Sequence, residues 1–192
     1  MSTGRLPWLR PADLNEPQRE VYRAIIGGLR SSVPRENPLT DEEGRLQGPF
    51  NAMLFSPALG MAVQQLGEVI RYQTTMGGRA REIVILEVAR AEGSEYEWIA
   101  HADAGRRAGL SEDQIGAVRA GQPPAGLTGQ EEAIRLVAME LVYSGDLSSE
   151  TLKQAERTLG LPTLTEVVFL IGYYRMIALS LRVWRVPLPE TN

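Results

Sequence analysis

Residues 81–110 read REIVILEVARAEGSEYEWIAHADAGRRAGL. In the first ten, apolar residues fall almost all round a helical projection, the pattern of a central helix that is mostly buried. Ile83, Val84, Ile85 and Val88 are β-branched and also suit a strand, so the text that follows has to decide. It decides for helix: Gly93 and Ser94 stop one helix and restart another, and alanine-rich sequence runs on to Gly109. The segment therefore sets an all-α architecture.

Outward from it, helix signals recur and strand signals do not. Leu14, Val21, Tyr22, Ile25, Ile26 and Leu29 are spaced to share one stripe, which predicts an amphipathic helix over about 11–30. Residues 31–49, SSVPRENPLTDEEGRLQGP, are too polar and punctuated for a core element and read as an ordered loop. Ser56 and Pro57 form an N-cap and N1 pair for a helix to about Thr75, and the pair Gly77–Gly78 breaks the chain. Ser111 with Gln114, and Thr128 with Glu131, are spaced as capping boxes for helices to about Gly121 and over 129–144. Ser148 and Ser149 start a helix to about Leu159, closed by Gly160. Thr163 with Glu166 is spaced to cap the most apolar stretch, VVFLIGYYRMIALSLRVW, whose Arg175 and Arg182 mark it as a buried globular helix. The expectation is a single-domain helical bundle of about eight helices over 1–192, with no repeat of fixed length.

The chain has 192 residues, 20 Lys+Arg against 24 Asp+Glu, a net charge of −4 and no cysteine. Without cysteine there is no disulfide framework, zinc thiolate site, iron–sulfur ligation or thiol peroxidase chemistry. A single histidine does not supply the two or three imidazoles of a typical catalytic zinc or iron site, so neither metal nor cofactor is expected. The acidic balance argues against nucleic acid as a partner. The opening MSTGRLPWLRPADL lacks the apolar region of a secretory signal, and no run of 18 apolar residues suggests a membrane span. The expected location is the cytoplasm, with no membrane partner.

That single histidine, His101, sits four residues after Glu97 and seven after Ser94, so the three share one helical stripe. A carboxylate one turn before an imidazole accepts its N–H, fixes its tautomer and raises its pKa, which prepares an acid/base histidine. The same spacing also describes a surface ion pair. Glu82 stands in an otherwise apolar helix, either at the edge of the core, where desolvation raises a carboxyl pKa, or as a first-turn acid on the helix dipole. Arg81 and Arg71 are candidates to hold a substrate carboxylate. Ser94 and Trp98 complete the candidate substrate-binding set, although Trp98, like Tyr96, Tyr173 and Tyr174, also reads as a core or interface aromatic.

The run from Arg81 to Gly121, with REIVILEVAR, SEYEWIAH and AGLSEDQIGAVRAG, resembles the carboxymuconolactone decarboxylase family within the alkylhydroperoxidase D-like superfamily. GPFNAMLFSPAL (Gly48 to Leu59) and LTEVVFLIGYYRMIALSL (Leu164 to Leu181) are similar to flanking segments of that family, so the likeness covers about 45–187 and leaves 11–30 as an N-terminal extension. In the peroxidase branch a glutamate, a C-x-x-C pair and a histidine four residues after the second cysteine form a proton relay. The resemblance puts Glu82 and His101 in the glutamate and histidine places, and Ser94 and Glu97 in those of the cysteines. Acid and base are present and the redox centre is not, as in the decarboxylase-type branch, where the second cysteine's place is also commonly glutamate.

The resemblance implies an alkylhydroperoxidase D-like fold and a cofactor-free lyase of aromatic compound catabolism, acting on a small carboxylated lactone or related acid. Its catalytic residues would be His101, Glu97 and Glu82. It also implies a homo-oligomer, as a dimer, trimer or hexamer. Two alternatives stand beside it. One is an isomerase, hydrolase or dehydratase using the same Glu/His pocket; the other is a non-catalytic oligomer that binds a small acid, which predicts an exposed His101.

Overall fold

The computed structural model describes residues 4–32 and 38–189, in which eight α-helices follow one another. They are α1 (Glu16–Gly27), α2 (Phe50–Met53), α3 (Pro57–Tyr72), α4 (Gly78–Ala91), α5 (Glu95–Arg107), α6 (Glu112–Arg119), α7 (Gly129–Ser144) and α8 (Ser149–Trp184). No strand forms among the described residues, and the β-branched run 83–88 lies inside α4, so the fold is all-α as its periodicity requires. Residues 33–37 of the expected loop lie outside the described residues. The part from 38 is an ordered turn, in which Asp41 accepts from the backbone of Glu43 and Arg45 and from the Arg45 guanidinium. The helices fall into two compact units, Met1–Gln73 with Leu179–Asn192, and Thr74–Ala178.

In the first unit, α1 packs on α3 and buries Val21 and Ile25. The helix starts at Glu16 and not at residue 11, because Pro11–Asp13 makes a separate 3-10 turn and Asn15 with Gln18 closes a capping box. Four residues are too few to show a period, which is why α2 was not visible in the sequence. Its contact with α3 is unusually close: a Cβ added at Gly60 would stand 2.1 Å from the Met53 carbonyl oxygen. Gly60→Ala should therefore destabilise the protein by about 1–3 kcal/mol, the usual cost of overpacking, measurable as a lower denaturant midpoint at unchanged slope.

In the second unit α4 is the central element, packed on α5, α6 and α7 with nine of its 14 residues buried. It begins three residues before the expected Arg81, because the glycine pair is an entry and not a break: Gly77 is the N-cap and Gly78 the first helical residue. Glu82 is consequently the fifth residue of α4, beyond the first turn, and the helix-dipole reading of its carboxylate does not hold. Ile83 and Leu86 pack with Ala102, Leu110, Ile115 and Val118, and Trp98 and Leu127 close over this cluster. Both expected capping boxes form, Ser111 with Gln114 and Thr128 with Glu131. The Glu131 carboxylate also accepts from Arg79 at 2.7 Å, tying the start of α7 to α4.

The α4–α7 contact contains a buried charge cluster. Glu87 is fully buried and accepts from Arg135 Nε at 2.9 Å on one oxygen and from an Arg90 amino group at 2.8 Å on the other.

Gly160 interrupts α8 with φ 74° and ψ 160°, in the left-handed half of backbone space that suits glycine. The helix resumes at once with Pro162, so Thr163 already lies inside it and the expected Thr163–Glu166 capping box does not form. Those two side chains serve Thr75 instead. Glu166 accepts from the Thr75 N–H at 3.0 Å and from its hydroxyl at 2.9 Å, and the two threonine hydroxyls meet at 3.2 Å. Half of the apolar window of α8 is buried, including Val167, Leu170, Ile171, Tyr174 and Ile177, the pattern of a globular core helix.

Candidate active site

The packing of α4 on α5 brings Glu82 and His101 together across 19 positions of sequence. His101 Nδ1 lies 2.7 Å from Glu82 Oε2, and His101 Nε2 lies 3.1 Å from Glu97 Oε2, one turn earlier on α5. All three groups are buried, with exposures of 1% for Glu82, 4% for Glu97 and 6% for His101. One imidazole is thus held between two carboxylates, each on its own ring nitrogen. Arg81 Nε stands 3.5 Å from the other oxygen of Glu82, with its side chain 18% exposed.

Burial works against a charged imidazole, and Glu82 followed by Glu97 outweighs it through charge attraction and hydrogen bonding. The His101 pKa is therefore raised above its ordinary value of about 6.5. A group with a raised folded-state pKa contributes its full stabilisation below the unfolded value and loses it as pH rises through the folded one. Stability attributable to His101 should hold below about pH 6.5 and decline above it. An NMR titration of the single imidazole checks the raised pKa directly, and denaturant midpoints across the same pH range check the slope.

The remaining sequence candidates occupy other positions. Ser94 is the N-cap residue of α5, and its hydroxyl makes no capping bond. Trp98 is half-buried against the Ile83–Leu86 cluster, with the Arg119 guanidinium 4.5 Å above its ring. Arg71 belongs to the first unit, near the end of α3, with its guanidinium 5.9 Å from the Tyr72 ring centroid. Tyr174, which the sequence offered as a core or interface aromatic, meets the imidazole edge-to-face with ring centroids 5.0 Å apart. No periodic signal marks it, because the contact joins α5 to α8.

The helical fold is similar to that of alkylhydroperoxidase D-like proteins, whose solved structures superpose on it. An uncharacterised peroxidase-related protein from Ralstonia eutropha JMP134, with an alkylhydroperoxidase AhpD core, matches at TM-score 0.76 and 13% identity over 99% of this chain and 94% of its own. A peroxidase-related protein from Silicibacter sp. TM1040 matches at TM-score 0.74 and 12% identity over 100% and 94%. The apo form of the debrominase Bmp8 matches at TM-score 0.70 and 15% identity over 94% and 90%. No curated protein matches the sequence. Residues 57–140 match the model of the carboxymuconolactone decarboxylase family, and they carry Glu82, Glu97 and His101 with no cysteine.

Proposed function

We propose that the protein is a cofactor-free acid/base enzyme of decarboxylase type, a carbon–carbon lyase for a small carboxylated lactone or related acid, without thiol peroxidase activity. One observation carries this reading: a buried histidine whose two ring nitrogens are each held by a buried carboxylate, 2.7 and 3.1 Å away. Such an arrangement stores a proton and gives it two defined exits. The binding-only alternative calls for an exposed His101, and the residue is buried.

In a γ-carboxylactone the bond to the carboxylate carbon breaks, CO2 leaves, and the bonding electron pair enters the conjugated lactone as a dienolate. The protein then has to place the substrate and return one proton to carbon. Both ring nitrogens of His101 are occupied, so its proton reaches substrate through a carboxylate. Glu97 hands the proton over and His101 replaces it from Nε2, while Glu82 at Nδ1 fixes the tautomer and stabilises the imidazolium. Arg81, beside Glu82, is the cation for an anionic group of the substrate. Exposed Leu161, Phe169 and Met176 on α8 support a homo-oligomer, which we infer to act in the cytoplasm.

The test is a product assay with a γ-carboxylactone, following CO2 release and the lactone formed. Release of one CO2 per substrate consumed is expected. Conversion to an isomer or an opened acid without CO2 would move the assignment to an isomerase or hydrolase using the same groups. No conversion of any carboxylated lactone would favour the small-acid-binding protein.

A further inference from the structure

Ring N–H groups lie in the plane of an imidazole, so the bonds to Glu82 and Glu97 both depend on one torsion, the last of the His101 side chain. That torsion is broad and shallow in a free histidine. Rotation about it would break both contacts together, so whatever packs against the ring plane helps to hold both. A third element supplies a wall. Tyr174 of α8 is 4% exposed and stands against His101 with the ring planes at 88° and centroids 5.0 Å apart. Tyr173 is set against Tyr174 in turn, at 81° and 5.3 Å. His101 is thus faced by Glu82 from α4, by Glu97 from its own helix and by the Tyr174 phenol ring from α8, with Arg81 reaching it through Glu82.

We propose that Tyr174 is a positioning residue whose ring fixes the plane of the His101 imidazole, so that both carboxylates stay bonded to it. The role rests on the acid/base reading of the Glu82–His101–Glu97 cluster, through which Tyr174 acts without touching substrate. The ring and not the hydroxyl carries the effect, because a flat face or edge is what blocks rotation.

The test is an NMR titration of His101, the chain's one histidine, in wild type, Tyr174→Phe, Tyr174→Leu and Tyr174→Met. Phenylalanine keeps the ring and should leave the His101 pKa at its wild-type value. Leucine and methionine keep an apolar filling without a ring, and should let the pKa fall toward the ordinary value of about 6.5. In an active enzyme they should also lower kcat by about ten- to a hundred-fold with KM unchanged. Titration of both aliphatic variants at the wild-type pKa overturns the proposal, and so does a phenylalanine variant displaced as far as they are. If leucine does not fold, methionine carries the comparison. A nuclear Overhauser contact between the His101 and Tyr174 ring protons of the wild type is also required, and its absence overturns the proposal without any variant. A shifted His101 in a protein that consumes no lactone sustains the positioning role and ends the enzyme reading. An unshifted His101 in an active enzyme does the reverse.

Discussion

If the proposed lyase reading holds, His101→Gln should lower turnover of a carboxylated lactone by about 10²–10⁴-fold, the range for removing a positioned acid/base group, while KM changes little. Glutamine can still hydrogen-bond one of the two carboxylates but cannot take up and release a proton. Its effect on folding has to be separated from its effect on chemistry, because it removes the imidazole that both buried carboxylates share, with Arg81 still 3.5 Å from Glu82. Breaking a buried pair in this way costs about 3–5 kcal/mol. The double variant Glu82→Gln/His101→Gln removes one of the two buried carboxylates and should recover part of that stability with no recovery of turnover. Steady-state kinetics and a denaturant melt on the same three proteins distinguish the two losses. Wild-type turnover in His101→Gln would remove His101 from the reaction.

The second large effect is one of stability alone. Arg135→Met leaves the fully buried Glu87 with Arg90 as the remaining partner in its cluster and should destabilise the protein by about 3 kcal/mol, near the lower end for a broken buried pair. Arg90 is the reason for the lower end, since it still bonds the second carboxylate oxygen at 2.8 Å. Replacing both partners, Glu87→Leu with Arg135→Met, should regain most of the loss, because well-packed apolar groups often substitute for a buried pair at little net cost. Denaturant unfolding of the two single variants and the double gives the coupling between the side chains. A loss below about 1 kcal/mol in Arg135→Met would place the Glu87 pair in the range of solvated surface pairs.

What the sequence made legible was local. The helical reading of 81–110 rested on periodicity and on the restart at Gly93–Ser94, and the boxes at Ser111–Gln114 and Thr128–Glu131 bind within four residues, where spacing decides geometry. The Glu97–His101 contact is of the same kind, one helical turn long. What was not legible depended on distant partners. Thr163 and Glu166 carry the spacing of a capping box, yet both are taken by Thr75, about 90 positions away. The bond from His101 to Glu82 follows from the packing of α4 on α5 and was accessible only through the family resemblance. Tyr174 reaches the imidazole from the most apolar stretch of α8, whose text gave no sign of which residue would do so. The start of α4 was misplaced for a different reason, since Gly77 and Gly78 have the same composition whether they break a helix or open one.

The depth of α4 also determines how the site fails. Amides of a helix packed on α5, α6 and α7 become accessible to solvent only when that whole unit opens, so they belong among the slowest to exchange with deuterium. Glu82 is carried on that helix, and the fraying that inactivates sites built on surface loops does not reach it. On heating, the histidine should therefore keep its first carboxylate until the unit melts cooperatively, with inactivation and unfolding tracing one curve.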